Sequence, residues 1–223
     1  MKNFIFKTVC LVGLCAVILV GGAYADTLRM AYSAAPKTVD PYKSSASPTA
    51  SLNEHIYEAL VSRTNKKLLA TSYHWEDDTT LVVNLRKGVK FHNGADFTAQ
   101  DVIYSSCRMM YRVNDKKNML TSAMSPVVDV VALDDHTVAF KTVGLYPILI
   151  QKLKSLSILS AGDADLGPEL KFDNTGDCGI TRYPTKAQFE SGEFANGTGQ
   201  YKLVSFANTG DANLVRNDQY WGD

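Results

Sequence analysis

The sequence predicts a mixed α/β fold built from antiparallel strand pairs and short amphipathic helices. Three features carry that expectation. Apolar and polar residues alternate in short runs, pairs of such runs flank turn-forming residues, and elsewhere the apolar period lengthens to that of a helix.

Residues 1–25 stand apart from the fold. Lys2 and Lys7 form a basic leader, Val9 to Val20 is an uncharged apolar stretch, and Ala23-Tyr24-Ala25 is a small-x-small cleavage site before Asp26. That order describes a secretory signal peptide cleaved after Ala25. The uncharged run from Thr8 to Ala25 is at the short end for a membrane span of about 20 residues. Leu14 before Cys15 and Val9 before Cys10 lack the small residue that a lipid anchor needs. The mature protein is expected free in a Gram-negative periplasm, with no direct membrane insertion once the leader is cut.

Removing Lys2 and Lys7 leaves 21 of the 23 basic residues against all 23 acidic ones, a net charge of −2. This balance offers no basic field to nucleic acid or anionic lipid. Of the four cysteines, Cys107 and Cys178 lie beyond the leader. In an oxidising compartment they either pair or stay as separate thiols, and spacing alone does not decide.

Thr27 to Ser33 reads as a strand, followed by turn-rich Ala35-Pro36 and Val39-Asp40-Pro41. Ser47-Pro48 opens a helix, with the hydroxyl as N-cap and the proline at the first helical position; Leu52, Ile56, Ala59 and Leu60 give it an apolar face. A meander follows: a strand ending at Trp75, a turn at Asp77-Asp78, and Thr80 to Leu85. Arg86-Lys87-Gly88 then turns the chain into Val89-Lys90-Phe91 and the His92-Asn93-Gly94 turn. Thr98, with Asp101 three residues on, forms a capping box ahead of a helix whose inner face holds Val102, Ile103, Ser106 and Met110. Val127 to Leu133 and Thr137 to Thr142 make a hairpin, Pro147 opens a short helix through Leu153, and Leu156 to Leu159 reads as a strand. After a looser stretch from Ala161 to Phe194, Tyr201 to Phe206 and Ala212 to Arg216 form a last hairpin with no clear closing partner.

Catalytic constellations are not apparent. His55, His74, His92 and His136 are scattered, and no G-x-S-x-G, H-E-x-x-H or C-x-x-C occurs. Asp163-Ala164-Asp165 with Gly167 resembles a calcium loop only at its start, because the twelfth position falls on Asn174. Gly197-Thr198-Gly199 precedes a strand, so it is a backbone device and not a phosphate cradle. No catalytic residue, metal site or cofactor is expected.

Several runs stand out in order: the first strand with Val39-Asp40-Pro41; His55-Ile56-Tyr57-Glu58-Ala59-Leu60-Val61; Leu85 through Gly94 with Phe97 through Val102; Gly197 through Leu203; and Arg216 through Gly222. Together they resemble the family 5 extracellular solute-binding proteins, the periplasmic dipeptide, oligopeptide and nickel binders of ABC importers. Most of these residues also make sense as scaffold: a glycine closes the tight turn at Gly88, and Tyr220 and Trp221 are large anchors.

The resemblance implies a type II periplasmic-binding-protein-like fold, of which this chain holds only the near lobe, with the far lobe missing. A mixed-sheet, hinge-bearing subdomain (26–46 and 162–223) would carry an inserted α/β subdomain (47–161). In peptide-binding members an aspartate of the far lobe holds the ligand's amino group, and it has no counterpart here. The resemblance further implies a monomer that captures a peptide or similar small solute by lobe closure and docks on an inner-membrane ABC permease. Nickel chelate, haem, oligosaccharide and opine are the competing ligands; a non-transporting truncated envelope protein is the alternative role. By topology, Tyr32, Ser33, Ala34 and Ala35 face the ligand, an ordinary strand-to-loop turn being the other reading. A near lobe alone is expected to expose strand edges and to bind ligand weakly or not at all.

Overall fold

The computed structural model describes residues 29–111, 119–167 and 169–222. The proposed signal peptide lies outside them. The chain divides into two units, 1–31 and 32–223; Arg29 to Ala31 of the first are exposed and irregular.

Helix α1 (Ser47–Ile56) starts one residue earlier than expected: Ala46 is the N-cap and Ser47 is already helical. It ends at Ile56 because Tyr57 is extended, so Leu60 reaches the core from the following segment. Strands β1 (Ala70–Trp75) and β2 (Thr80–Leu85) then form a hairpin. Helix α2 (Ala99–Met110) is followed by the short α3 (Met119–Met124), and the hairpin β3 (Val127–Asp134) with β4 (Thr137–Thr142) comes next. These four strands make one antiparallel sheet in the order β1-β2-β4-β3. β2 is central, and it buries residues on both faces where alternation alone suggested a half-exposed strand.

Three expected strands are not strands. Of the expected strand Thr27 to Ser33, Thr27 and Leu28 lie outside the described residues and Arg29 to Ser33 has no strand assignment. Val89 to Phe91 is reduced to a single bridge, Lys90 with Asp96, across the His92-Asn93-Gly94 turn. Leu156 to Leu159 is buried and extended, but the Ile158 amide donates to the Glu58 carbonyl and that of Leu159 to the Ser105 hydroxyl, so it forms no ladder.

Helix α4 (Leu149–Lys152) runs into a 3-10 turn through Ser155. The looser stretch holds the small pair β5 (Asp165–Leu166) and β6 (Ile180–Arg182), then α5 (Lys186–Glu190). The last hairpin, β7 (Tyr201–Phe206) and β8 (Ala212–Arg216), forms its own two-stranded sheet. Leu203, Phe206 and Leu214 pack on the core while Val204 and Val215 are exposed. Every strand pair among the described residues is antiparallel, so the mixed sheet expected of the hinge-bearing part is not seen among them.

The open question about the cysteines is answered by geometry. Cys107 on α2 is bonded to Cys178, tying the helix to the loop before β6 across 71 residues.

Helix α2 is buried on almost every side. At its start the Asp101 carboxylate accepts from the Thr98 amide (2.7 Å), the Thr98 hydroxyl (3.1 Å) and the Ala161 amide (2.8 Å). Burial outweighs these contacts and pushes the Asp101 carboxyl up to about 6. Burial also raises the carboxyls of Asp40, Glu58 and Asp163. A carboxyl with a raised folded pKa binds more protons folded than unfolded, so stability falls as pH climbs between the two values. For Asp101 that window runs from the ordinary 3.8 to about 6. The exposed Asp77, Asp134 and Asp173 are lowered by backbone amide donors and act in the opposite sense below it. The half-buried His92 ring, its pKa lowered by burial, opposes this below 6.5, so the Asp101 effect is read as a difference: from pH 5 to pH 7 the urea midpoint should fall more, or rise less, in the wild type than in Asp101→Asn. Equal changes in the two proteins would contradict this.

Candidate functional site

The segment after the expected ligand strip is heavily tied down. The Asp40 amide donates to the Thr38 hydroxyl (3.1 Å), the Tyr42 amide to Asp40 Oδ1 (3.0 Å), and the Tyr57 hydroxyl to the Val39 carbonyl (2.9 Å). The Lys37 amide donates to the Thr49 hydroxyl on α1 (2.9 Å). Asp40 is fully buried, and its Oδ2 receives the Arg108 guanidinium of α2 at 2.6 Å. Around Arg108, itself 2% exposed, stand the rings of Tyr42, Tyr111, Tyr183 and Phe189, 5.6–6.0 Å from the guanidinium carbon. An aromatic cage of this kind favours the cation that burial disfavours.

Tyr32 to Ala35 lie immediately before this anchored stretch. Ser33, Ala34 and Ala35 are exposed. Tyr32 is half-buried, and its hydroxyl is buried with no hydrogen-bond partner among the described residues. The turn of the β7–β8 hairpin supports the strip from behind. Gly210 there has φ +91°, and a Cβ on it would meet the Ala35 Cβ at 2.7 Å and the Pro36 carbonyl at 2.8 Å. Only glycine satisfies both demands.

A second junction joins the motifs that carry the family resemblance. Glu58, just past α1, accepts from the Thr198 hydroxyl (2.8 Å), the Tyr220 hydroxyl (3.0 Å) and the Trp221 indole (2.6 Å). Arg86 lies 4.1 Å over the Trp221 ring. The Gly199 amide donates to the Ile56 carbonyl, and side chains at Gly197 or Gly199 would collide with the α1 backbone. His92 contacts the Gly199 carbonyl through its ring (3.0 Å) and the Gly197 carbonyl through its amide (2.9 Å). These signature residues thus hold the scaffold together.

None of these contacts sets up a nucleophile with a base. The Asp163 oxygens are occupied by the amides of Asn93 (3.0 Å) and Asn196 (2.9 Å). Among the described residues no group of three or more His, Cys, Asp or Glu side chains is gathered to hold a metal ion. No helix among them is long and apolar enough to cross a membrane. Sequence reasoning missed Arg108 and Glu58 as keystones. An arginine amid Cys107, Met109 and Met110 on an apolar helix was the available signal.

Residues 65–223 match the family described as "Bacterial extracellular solute-binding proteins, family 5 Middle". The chain belongs to this family of binding proteins. It is 24% identical over 185 residues to the nickel-binding protein NikA of Staphylococcus aureus, covering 83% of this chain and 32% of that protein. It is 23% identical over 210 residues to the periplasmic oligopeptide-binding protein OppA of Haemophilus influenzae, covering 85% and 36%. The solved periplasmic binding protein DppA of Helicobacter pylori, in complex with a peptide, superposes with a TM-score of 0.63 at 25% identity, covering 85% of this chain and 39% of that one. The chain therefore spans about a third of the length of the curated relatives it matches, and its fold corresponds to part of a periplasmic binding protein.

Proposed function

We propose that this chain is the near lobe of the substrate-binding component of an ABC importer, exported to the periplasm by residues 1–25. In this reading the intact protein closes two lobes on a peptide or similar small solute and presents the closed form to a membrane permease. Tyr32, Ser33, Ala34 and Ala35 form the ligand-facing strip. The observation that carries the reading is an exposed backbone strip mounted on the tied segment Lys37 to Tyr42. Among the described residues the main chain of Ser33 to Ala35 makes no hydrogen bond, which leaves donors and acceptors open to a peptide backbone.

The insertion of 47–161 into a hinge-bearing part formed by 26–46 and 162–223 belongs to the same proposal. The four-stranded sheet and α2 lie wholly within the inserted span, which supports it. A nickel chelate is the second ligand reading, favoured by the name of the Staphylococcus aureus relative.

The strip is tested by Ala34→Trp, which fills the face without disturbing the anchor. Peptide affinity should fall about tenfold or more, while Val143→Trp, at an exposed site on another loop, should leave it unchanged. Undiminished peptide binding by Ala34→Trp would remove the strip from the site.

A further inference from the structure

We propose that the hollow beside α1 is a binding site for a small polyhydroxylated organic acid, separate from the ligand strip and independent of the importer reading. The hollow holds about 420 Å³. Its walls come from the chain running from Pro41 through α1 and its exit to Arg63, from Ala123 of α3, and from the run from α4 to Ser157. The packing of α1 on that run creates the space, so it is more than a gap between two surface side chains.

Its walls mix apolar and polar surface, and the charged groups on them are mostly cationic. Asn53 lines it, is only 5% exposed, and has no side-chain hydrogen bond among the described residues; its Oδ1 is fully buried and unpartnered. The buried Oδ1 does not reach the hollow as it stands, so the end of Asn53 available there is the amide donor, which suits an anion.

Arg63, Lys152 and Lys154 face a single carboxylate, Glu54, and Glu54 is already ion-paired with Arg63. Lys154 Nζ donates to the Arg63 carbonyl at 3.2 Å. Lys152 has no ion-pair partner among the described residues. The surplus of positive charge calls for an anion, and serine hydroxyls such as that of Ser157 call for a ligand rich in hydroxyls. Apolar ligands would leave these groups unsatisfied, and a bare inorganic anion would not fill the volume.

The test is calorimetric titration of the chain with gluconate, using sorbitol and acetate as probes that each lack half of the chemistry. Gluconate should bind with a dissociation constant of about 1 mM or tighter. Sorbitol and acetate should each be about tenfold weaker or worse, and Lys152→Glu should weaken gluconate about tenfold. Lys152 is only half-buried, so an unchanged melting temperature verifies that the variant folds; Lys152→Gln, with a smaller loss, is the second check. No heat up to about 10 mM gluconate, equal binding of sorbitol, equal binding of acetate, or unaltered binding by folded Lys152→Glu would each overturn the proposal. Peptide responses at Ser33 to Ala35 report the strip separately, so failure of one site is distinguishable from failure of the other.

Discussion

Arg108→Met is expected to lower the unfolding free energy by about 3–5 kcal/mol, because it strands the Asp40 carboxylate in the core. Asp40 is fully buried and has no other cation at contact distance among the described ion pairs. The methionine retains much of the arginine's volume and still packs among Tyr42, Tyr183 and Phe189, so the loss is chiefly electrostatic. The double variant Asp40→Asn with Arg108→Met removes both charges and should recover most of the deficit, since the carboxamide oxygen that replaces Oδ1 can still accept from the Tyr42 amide. Urea unfolding of the two single variants and the double one closes the cycle. A single-variant loss below about 1 kcal/mol, or losses that simply add, would show that the pair is not coupled as the geometry requires.

The Cys107–Cys178 bond should contribute a similar amount by a different route. Closing a loop of 71 residues restricts the unfolded chain, which corresponds to about 4 kcal/mol in the chain-entropy account. Reduction, or the pair of serine substitutions, should lower the urea midpoint accordingly. It should also loosen Tyr183, whose hydroxyl donates to the Gly176 carbonyl within the tethered loop and whose ring lies by Arg108. Equal midpoints for oxidised and reduced protein would contradict the assignment of a stabilising cross-link.

These two interactions also mark the limit of what the sequence discloses. Turn chemistry and alternation located β2, β4, β7 and β8 to within a residue; Gly88 after β2 and Gly210 between β7 and β8 adopt positive φ where turns were expected. The Thr98–Asp101 box likewise marks the start of α2. Long-range pairing was not visible. Leu156 to Leu159 has the apolar content of a strand, yet tertiary contacts to Glu58 and Ser105 use its amides. The bond between Cys107 and Cys178, and the meeting of Asp40 with Arg108, depend on how α2 packs, which no local pattern encodes. Glu58 was legible only as a member of a run. Its convergence with Thr198, Tyr220 and Trp221 explains physically why those runs occur together. The proposed ligand strip was placed by topology alone in the sequence, and its exposed main chain without hydrogen bonds among the described residues is what supports the proposal.

The central claim, that Tyr32 to Ala35 face a captured solute, is tested most directly by residue-resolved NMR of the chain titrated with a mixture of di- to pentapeptides. The amide signals of Ser33, Ala34 and Ala35 should shift saturably with millimolar affinity, as suits a single lobe, and the shifts should vanish in Ala34→Trp. Peptide-dependent shifts on other surfaces, with Ser33 to Ala35 unmoved, would contradict the account.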